Sequence, residues 1–590
     1  MAPGSNLIVN EDLKERIASW SVVWPRDQRE LWTNLLASES SVSSSGFPIL
    51  SEQAFSLFLE QVPHLFLDGL EILNFISQCR YMLEASHGWE DSDEVSVDRA
   101  LSVVRNIVNT AGVTSGTDLW TLRHILNSFH QLGLVEAFKQ NKPLTTEGLA
   151  KKFALDSAQL EQDLIMLHSR GILALSSQGY ALNSRPWAQN IFSQISPLDR
   201  RFCEDMVEKI GQGLALGSGT DEVNEFFQLS NHPSDSEGWY PTLNDIELGF
   251  RIVPLVIALR TQGFTSQLKY ETYIQEIVPG LTPNQLSCLR RAGLIADNDA
   301  VTLLGDRVFA RAPGPYGIIH AYHSYMAHHT TLLKGQKTEV WVSRGANVVA
   351  SQQANAKTFH LINESLSRYC EATGFDYDVY IEHAVGQGEA TRQHYKKHPD
   401  KTVHYFGADL EEAAIARAEE ARSRGELPAD MRFVRRADIG EPEILIDAIM
   451  RAGCKPQGAV MVVGNGFHEV RNQSNEKMIQ VFKKYCDAGI LVIFTEESAL
   501  SDEDLLATGW NTYHAGFRYF HAISGQGLRP AIDDPNSPCD RLSWHKCASL
   551  AGYEVNSEYT TRTRTIYPYP RKNGTNPAIS VNYFCIPRKN

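Results

Sequence analysis

Histidine and glutamate side chains follow two apolar runs in the C-terminal part of the chain, 458–463 and 491–494. In chain order they are His468, Glu469, Glu496 and Glu497. If both runs are parallel strands of one sheet, their carboxyl ends face the same ligand crevice, and these side chains meet there. A histidine in that position can remove a proton as a general base. We therefore predict catalytic roles for His468 and Glu469.

The same side chains also suit a metal ion. The segment 499–540 follows the second run and carries His514 and His521. Two histidines and one carboxylate suit Fe(II) or Mn(II), with coordination positions left open for a substrate. The predicted ligands are His468, Glu497 and His514. Both interpretations of His468, as general base and as metal ligand, are open at this point.

Two arginines in the segment 499–540, Arg518 and Arg529, could hold an anionic substrate. A guanidinium group binds a carboxylate through two parallel hydrogen bonds. The segment is expected to emerge at the carboxyl edge of the sheet, where it would cap the substrate. Arg518 is therefore predicted as a further catalytic residue.

A loop of small residues follows another apolar run, 379–381. The run ends on Glu382, and Ala384, Gly386 and Gly388 then occupy every second position before a helical stretch. Small residues at a helix N-terminus let the backbone approach a nucleotide-like ligand closely. A dinucleotide-binding fold places G-x-G-x-x-G directly after its strand, and this loop does not fit that pattern.

A further apolar run, 403–406, leads to Asp409. A carboxylate at the tip of that strand can accept hydrogen bonds from both ribose hydroxyls of a nucleoside. The order of acid, small-residue loop, strand and second acid resembles the motif I and motif II regions of class I S-adenosylmethionine (SAM) methyltransferases. In that fold the acid after the third strand contacts the adenine amine, and Asp438 stands in that place. The residues that this resemblance assigns to the cofactor are Glu382, Ala384, Gly386, Gly388, Asp409, Asp438 and Gly464.

The elements that must position these residues alternate between strand and helix from residue 378 onward. A helix at 541–552 and a hairpin of 554–567 and 579–586 are predicted to close the sheet, after the insertion 499–540. The predicted fold class is α/β, with a Rossmann-like, mostly parallel seven-stranded sheet over residues 336–590.

The N-terminal half of the chain has helical periodicity throughout. Residues 1–118 are predicted as a helical region, and residues 119–335 as a winged-helix-like lid and dimerisation region. Two winged-helix-like units are predicted within the latter, at about 119–184 and 270–314, each with helices followed by two short wing strands. The third helix of the first winged-helix-like unit carries Gln159, Glu161, Gln162 and Asp163, which are poorly suited to meet phosphates. DNA binding is therefore not expected, and a homodimer is.

Composition supports a globular protein without a membrane span. The chain has 590 residues, a net charge of −15 and nine cysteines, with no C-x-x-C pair. The length predicts two to four domains, and the scattered cysteines favour reduced thiols in a cytoplasmic protein. The N-terminus has no signal-peptide core, and no apolar run reaches the length of a membrane-spanning helix.

Residues from about 342 to 530 resemble the C-methyltransferase domains of the apratoxin polyketide synthase loading module and related free-standing proteins. The stretches that carry the resemblance are NVVASQQANAKTF, IEHAVGQGEATRQ, YFGADL, RRADIG, VGNGFHEVRNQ, FTEESALSDEDLL and NTYHAGFRYFHAISGQGLRP. The resemblance implies SAM as cofactor, methylation of a carbon next to a thioester carbonyl, and a bound iron ion.

The function predicted from the sequence is SAM-dependent methylation of a small-molecule natural-product intermediate. The expected acceptor is a carbon alpha to a carbonyl, with assistance from an Fe or Mn ion, and the substrate is a free molecule or an acyl thioester, such as one on a carrier protein. Three alternatives are open. They are a SAM-dependent cyclase, lyase or pericyclic enzyme without net methylation, a metal-independent O- or N-methyltransferase, and a winged-helix regulator that binds SAM.

Overall fold

The computed structural model describes residues 7–43, 46–61, 68–85, 89–140, 142–217, 219–232, 240–336, 344–507, 514–530, 541–563, 567–570 and 578–588. The chain forms two compact units. The helical unit comprises Met1–Val342, Asp502–Tyr519 and Tyr567–Asn576, and the sheet unit comprises Ser343–Ser501, Phe520–Ile566 and Pro577–Asn590. No helix in the described ranges is long and apolar enough to span a membrane.

The first part of the helical unit contains eighteen α-helices and two short hairpins within the described ranges. The helices are α1 (Glu11–Ala18), α2 (Arg29–Leu36), α3 (Glu52–Gln61), α4 (Gly69–Ala85), α5 (Asp91–Gln131), α6 (Leu134–Phe138), α7 (Thr146–Phe153), α8 (Ser157–Ser169), α9 (Pro186–Gln194), α10 (Met206–Leu216), α11 (Asp221–Phe226), α12 (Leu243–Thr261), α13 (Ile274–Ile277), α14 (Pro283–Arg291), α15 (Leu303–Arg311), α16 (Pro313–His320), α17 (His323–Ala327) and α18 (His329–Leu333). The strands are β1 (Ser40–Val42), β2 (Pro48–Leu50), β3 (Leu173–Ser176) and β4 (Gly179–Leu182).

Helix α5 runs through the boundary predicted at residue 118. It continues for 41 residues without a break, although it contains Gly112 and Gly116. Neighbouring side chains pack closely against both glycines: a Cβ at Gly112 would lie 2.6 Å from Leu304, and one at Gly116 would lie 2.8 Å from the Tyr316 hydroxyl. The two N-terminal regions separated in the sequence analysis therefore lie in one compact unit.

The region predicted as the first winged-helix-like unit contains α7, α8 and the antiparallel pair β3–β4 in the expected chain order. The Asp156 side chain caps α8 by accepting a hydrogen bond from the Gln159 backbone N–H at 2.7 Å. In the second predicted unit a capping box of Thr282 and Gln285 opens α14. Isolated bridges such as Ile295 to Val301 stand where wing strands were expected. A lid or dimerisation role for this region remains a prediction.

A hydrogen-bond network is sealed inside the helical unit. Asp163, on α8, is fully buried and accepts hydrogen bonds from the Tyr519 hydroxyl at 2.8 Å and from the amide of Gln159 at 3.2 Å. Its carboxylate also lies 3.0 Å from Nε2 of His329, which is itself buried. Tyr519 belongs to the insertion, so this network ties part of the insertion to the helical unit.

The sheet unit alternates strands and helices as the sequence predicts. Its elements up to the insertion are α19 (Arg344–Thr373), β5 (Val379–His383), α20 (Glu389–Lys397), β6 (His404–Asp409), α21 (Glu412–Ser423), β7 (Arg432–Arg435), α22 (Pro442–Arg451), β8 (Val460–Gly464), α23 (Asn475–Asp487) and β9 (Leu491–Glu497). The insertion contributes α24 (Asp502–Ala507) and α25 (His514–Ser524), and the closing elements are α26 (Trp544–Leu550), β10 (Tyr553–Val555), β11 (Thr561–Arg562) and β12 (Ser580–Pro587).

The main path of the sheet has the order β7-β6-β5-β8-β9-β12-β10, and β11 pairs with β12 outside it. Strands β5 to β9 pair in parallel, whereas β12 runs antiparallel to both of its neighbours. Counted along the chain, this is the order 3-2-1-4-5-7-6 with an antiparallel seventh strand, which is the sheet of class I SAM-dependent methyltransferases. The predicted α/β fold class is confirmed.

Both faces of the sheet are apolar because helices cover both. Val379 and Ile381 of β5 belong to one hydrophobic cluster, and Tyr380 between them belongs to another. Successive side chains of a strand point to opposite faces, so a strand buried on both sides reads as a continuous apolar run. Strand order reverses at β5, between β6 and β8, and the carboxyl ends of β5 and β8 therefore border the ligand crevice.

The insertion is divided between the two units. Residues 502–519 belong to the helical unit and residues 520–530 to the sheet unit, so that α25 has residues in both. Parts of the predicted cap, 508–513 and 531–540, lie outside the described residues. The predicted hairpin segment 554–567 also extends too far, since Tyr567 belongs to the helical unit.

Candidate functional site

The loop after β5 has a backbone that few residues other than glycine adopt. Ala384, Gly386 and Gly388 have φ angles of +56°, +51° and +77°. Gly388 directly precedes α20, and a Cβ there would lie 2.8 Å from Leu427. The loop thus presents backbone, rather than side chains, at the N-terminus of a helix, which suits the close approach of an anionic or nucleotide-like group.

Glu382 holds this loop in place from within the sheet. Its carboxylate is fully buried and accepts hydrogen bonds from the backbone N–H groups of Ala390 at 3.1 Å and Thr391 at 2.8 Å. Burial raises its pKa to about 7, although these hydrogen bonds favour the ionised form. Both oxygens are directed at the first turn of α20. Glu382 is predicted to bind the cofactor, and its hydrogen bonds show that it shapes the loop that precedes α20.

Asp409 joins the tip of β6 to the same loop. One carboxylate oxygen accepts a hydrogen bond from the Glu411 N–H at 2.9 Å and the other from the Gly386 N–H at 3.2 Å. Burial raises the pKa of Asp409. Each carboxylate oxygen has a second lone pair, so Asp409 can still accept hydrogen bonds from ribose hydroxyls.

Asp438 lies in the loop after β7, and Gly464 is the last residue of β8. Asp438 is half-buried and accepts a hydrogen bond from the Gly440 N–H at 2.7 Å, which shapes its own turn. A Cβ at Gly464 would lie 2.5 Å from the ring of Phe359 on α19, so only glycine fits there. The residues predicted to bind the cofactor thus all lie at or just beyond the carboxyl ends of β5 to β8.

His468 and Glu496 form a buried pair at the carboxyl ends of β8 and β9. His468 lies in a short 3₁₀ turn, Phe467–Glu469, and Glu496 is the penultimate residue of β9. Nδ1 of His468 donates to Oε2 of Glu496 at 2.9 Å, and the His468 backbone N–H donates to Oε1 at 3.1 Å. The carboxylate therefore fixes both the turn and the ring orientation of His468.

Two opposing effects set the protonation of His468. Burial by itself lowers the pKa, but the negative charges of Glu496 and Glu469 outweigh burial and raise the pKa to about 10. Nε2 of His468 lies 3.7 Å from Oε1 of Glu469, whose side chain is 32% exposed. His468 thus points its second nitrogen towards the more accessible side of the pair.

Glu497 takes a different direction from Glu496. Consecutive residues of a strand project from opposite faces, and Glu496 is the one that faces His468. Residue type alone does not distinguish these two adjacent glutamates. The third predicted metal ligand, His514, belongs to the helical unit, whereas His468 belongs to the sheet unit. Within the sheet unit, therefore, the predicted trio of His468, Glu497 and His514 is not assembled.

No group of three His, Cys, Asp or Glu side chains in the described part of the chain is placed to hold a metal ion. Among the described residues the three predicted ligands are thus not grouped as a metal site, and metal binding stays a prediction. A ring whose Nδ1 donates to a carboxylate is also the arrangement of a histidine general base oriented by an acid.

A second imidazole lies beside His468. The ring centroids of His468 and His521 are 4.8 Å apart, and the ring planes meet at 69°. His521 is one of two histidines in α25, and it belongs to the sheet unit. Sequence reasoning noted both histidines as ligand candidates and selected His514. Since the two are seven residues apart on one helix, their spacing places them on the same face and does not distinguish them.

The two arginines predicted to hold a substrate carboxylate already have protein partners. Arg518 forms an ion pair with Asp502 within the helical unit. Arg529 is fully buried, and its guanidinium group donates to Gln473 at 3.1 Å and to Asn475 at 2.8 Å. Arg529 is therefore a structural residue that fixes the segment next to His468. The guanidinium group of Arg518 is already paired with the carboxylate of Asp502.

No family model and no curated protein matches the chain. Among solved structures it is similar to the CurJ carbon methyltransferase, with a TM-score of 0.40 and 10% identity over 84% of this chain and 99% of that chain. It is also similar to the CMeT domain of the citrinin polyketide synthase, with a TM-score of 0.32 and 12% identity over 66% and 96% of the two chains. A third is an O-methyltransferase family 2 protein from Planctomyces limnophilus in complex with apigenin, with a TM-score of 0.31 and 10% identity over 80% and 95%. The similarity to polyketide synthase C-methyltransferase domains that the sequence predicts is thus found among solved structures.

Proposed function

We propose that this protein is a SAM-dependent methyltransferase in which His468, oriented by Glu496, removes a proton from the acceptor. The observation that carries the proposal is the buried His468–Glu496 pair at the carboxyl ends of β8 and β9, in a sheet with the class I methyltransferase strand order. The loop after β5 and the carboxylate of Asp409 fit a nucleoside, because they offer close backbone approach and hydroxyl acceptors at one edge.

Bound SAM would supply an electrophilic methyl group on a sulfonium sulfur. The residues of this chain would then do three things. The loop at Ala384–Gly388 and Asp409 hold the nucleoside, Nε2 of His468 takes the acceptor proton, and Glu496 stabilises the imidazolium that results. Because the pKa of His468 is about 10 in the ligand-free protein, the base is mostly protonated at neutral pH. A cation bound nearby lowers that pKa and favours the neutral ring.

We propose as acceptor a carbon alpha to a carbonyl in a small natural-product intermediate, as a free molecule or an acyl thioester. An alternative is O- or N-methylation without a metal. A single histidine oriented by one carboxylate is sufficient to deprotonate a hydroxyl or amine, and this is the observation that favours the alternative. We also propose a homodimer, to be tested by the mass in solution, expected at twice 66.0 kDa.

Calorimetric titration of the full chain with SAM tests the proposal. Saturable binding is expected, with Asp409→Ala weakening it and the surface change His360→Gln leaving it intact, because His360 is exposed on α19. Incubation with SAM and candidate acceptors, followed by mass measurement, should give a product heavier by one methyl group. Release of methylthioadenosine, or an isomerised product with SAM intact, would instead identify the lyase or pericyclic alternatives. Failure to bind SAM would overturn the proposal.

A further inference from the structure

The two imidazole rings beside Glu496 are fixed in a defined mutual geometry. His468 and His521 are 6% and 4% exposed, and their rings meet edge to face at a centroid distance of 4.8 Å. Tilted or edge-to-face packing of this kind is favourable and restricts both rings. The two nitrogen-bearing rings therefore border the same small region at the carboxyl ends of the strands.

A short segment of the insertion holds the backbone at both histidines. The Gly527 N–H donates to the carbonyl oxygen of His468 at 3.1 Å, and the Gln526 N–H donates to the carbonyl oxygen of His521 at 2.9 Å. The amide of Gln473 also donates to the His468 carbonyl at 3.3 Å. A Cβ at Gly527 would lie 2.3 Å from the end of the Arg541 side chain and 2.9 Å from the Gln473 side chain, so this segment packs closely against both. The insertion is thus part of the site within the sheet unit.

We propose that His521 is a second catalytic residue, which donates a hydrogen bond to the carbonyl oxygen of a carbon-acid substrate while His468 removes the proton from the adjacent carbon. This inference rests on the proposed function and specifies its substrate class. The oxygen and the alpha carbon of a carbonyl compound are about 2.4 Å apart, as the bond lengths of the group require. Two imidazoles that border one region can address both atoms of one substrate.

The bond between the alpha carbon and its hydrogen breaks, the proton goes to Nε2 of His468, and the electron pair moves into the carbonyl group to give an enolate. The N–H of His521 stabilises the negative charge on the enolate oxygen. The alpha carbon then forms a bond to the methyl group as the bond between that methyl and the sulfonium sulfur breaks. The proton on His468 afterwards passes to solvent on the side of Glu469, which is partly exposed.

The second imidazole separates carbon acids from other acceptors. A hydroxyl or amine acceptor needs one base and has no adjacent oxygen that becomes charged. An enolate can react at carbon or at oxygen, and a hydrogen bond to the oxygen makes that oxygen a poorer nucleophile. A site with one base and one donor therefore favours a carbonyl compound with an acidic C–H bond, such as a beta-keto thioester, and favours methylation at its carbon.

The test uses the full chain, SAM and acetoacetyl-N-acetylcysteamine as the probe, with C- and O-methylated products separated by chromatography. The unaltered protein is expected to give the C-methyl product. His521→Phe should lower kcat by about 10²-fold, the usual cost of removing one oxyanion donor, and should produce O-methyl product. His521→Gln keeps an N–H donor at a similar reach and should restore carbon selectivity. SAM binding should be the same in all three proteins.

A control and three outcomes complete the test. His360→Phe changes an exposed histidine of the same unit and should alter neither the rate nor the product ratio. A His521→Phe variant with an unchanged product ratio and rate would overturn the inference, because a packing residue alone would not control the position of methylation. A chain that binds SAM but methylates only oxygen or nitrogen acceptors, or leaves the probe unmethylated, would overturn it while the methyltransferase proposal stands. Loss of SAM binding in the unaltered chain would overturn both.

Discussion

The described part of the molecule contains two buried histidine–carboxylate pairs with similar distances and different surroundings. His468 and Glu496 meet at 2.9 Å in the sheet unit, and His329 and Asp163 meet at 3.0 Å in the helical unit. Asp163 also receives hydrogen bonds from Tyr519 and Gln159 and lies among helices. Glu496 instead stands at the end of a parallel strand, and the second nitrogen of its histidine faces the partly exposed Glu469. A histidine–carboxylate pair becomes a candidate base only when its second nitrogen is directed at a ligand crevice.

The largest expected difference between the pairs is catalytic. His468→Ala should reduce kcat by about 10²–10⁴-fold, the range that a general base contributes, while the dissociation constant for SAM stays the same. Steady-state kinetics beside calorimetric titration measure both quantities. Unchanged turnover in His468→Ala would show that the His468–Glu496 pair, like the His329–Asp163 pair, has no catalytic role.

The pH profile sharpens the comparison further. His468 must lose its proton to act as a base, so kcat is expected to rise with pH towards the pKa of His468 in the SAM complex, which lies below the value of about 10 in the protein alone. Glu496→Gln removes the negative charge that raises this pKa, so the rise should move to lower pH, and the maximal rate should fall because the imidazolium loses its partner. The folded-state pKa lies above the ordinary value of about 6.5, so the pair stabilises the fold below pH 6.5 and loses that contribution as the pH rises through about 10. Thermal unfolding of both proteins across this pH range tests the expected loss of stability. An identical pH profile of kcat in Glu496→Gln would contradict the role of Glu496 in raising the pKa of His468.

The smallest expected effect concerns the pair of His329 and Asp163 in the helical unit. Asp163→Asn should lower the free energy of unfolding by about 1–3 kcal/mol, because the amide leaves buried donors around it without an acceptor. Denaturant unfolding measures this loss. The pH dependence of kcat should keep the shape set by His468. A shifted kcat profile in Asp163→Asn would show that the network in the helical unit also acts on the chemistry.

The parts of the site that could be predicted from sequence are those that local pattern determines. The apolar runs 379–381 and 491–494 become β5 and β9 because strands buried on both faces require apolar residues at every position. The small residues after β5 mark a loop with positive φ angles, because glycine adopts such angles without steric cost. His468 was identified because a polar residue just beyond such a strand faces the crevice.

The remaining features depend on contacts that the sequence does not encode locally. The choice between Glu496 and Glu497 depends on which face of β9 meets the turn at His468. A shift of one residue in the strand register would turn Glu497, instead of Glu496, towards that turn. The choice between His514 and His521 depends on where a helix changes from one unit to the other. The role of Arg529 became apparent only from its partners in the loop and helix at 473–475. Tertiary packing, rather than residue type, decides each of these points.

The division of α25 between the two units has a practical consequence for dissecting the protein. The chain leaves the sheet unit after Ser501 and again after Ile566, so no single continuous segment contains that unit alone. A fragment that begins at residue 343 would keep Tyr519 and Tyr567 but lose Asp163, the Tyr519 partner, and would thereby expose apolar and hydroxyl groups that are buried in the full chain. Such a truncation is expected to be prone to aggregation, and co-expression with residues 1–342 should restore its solubility.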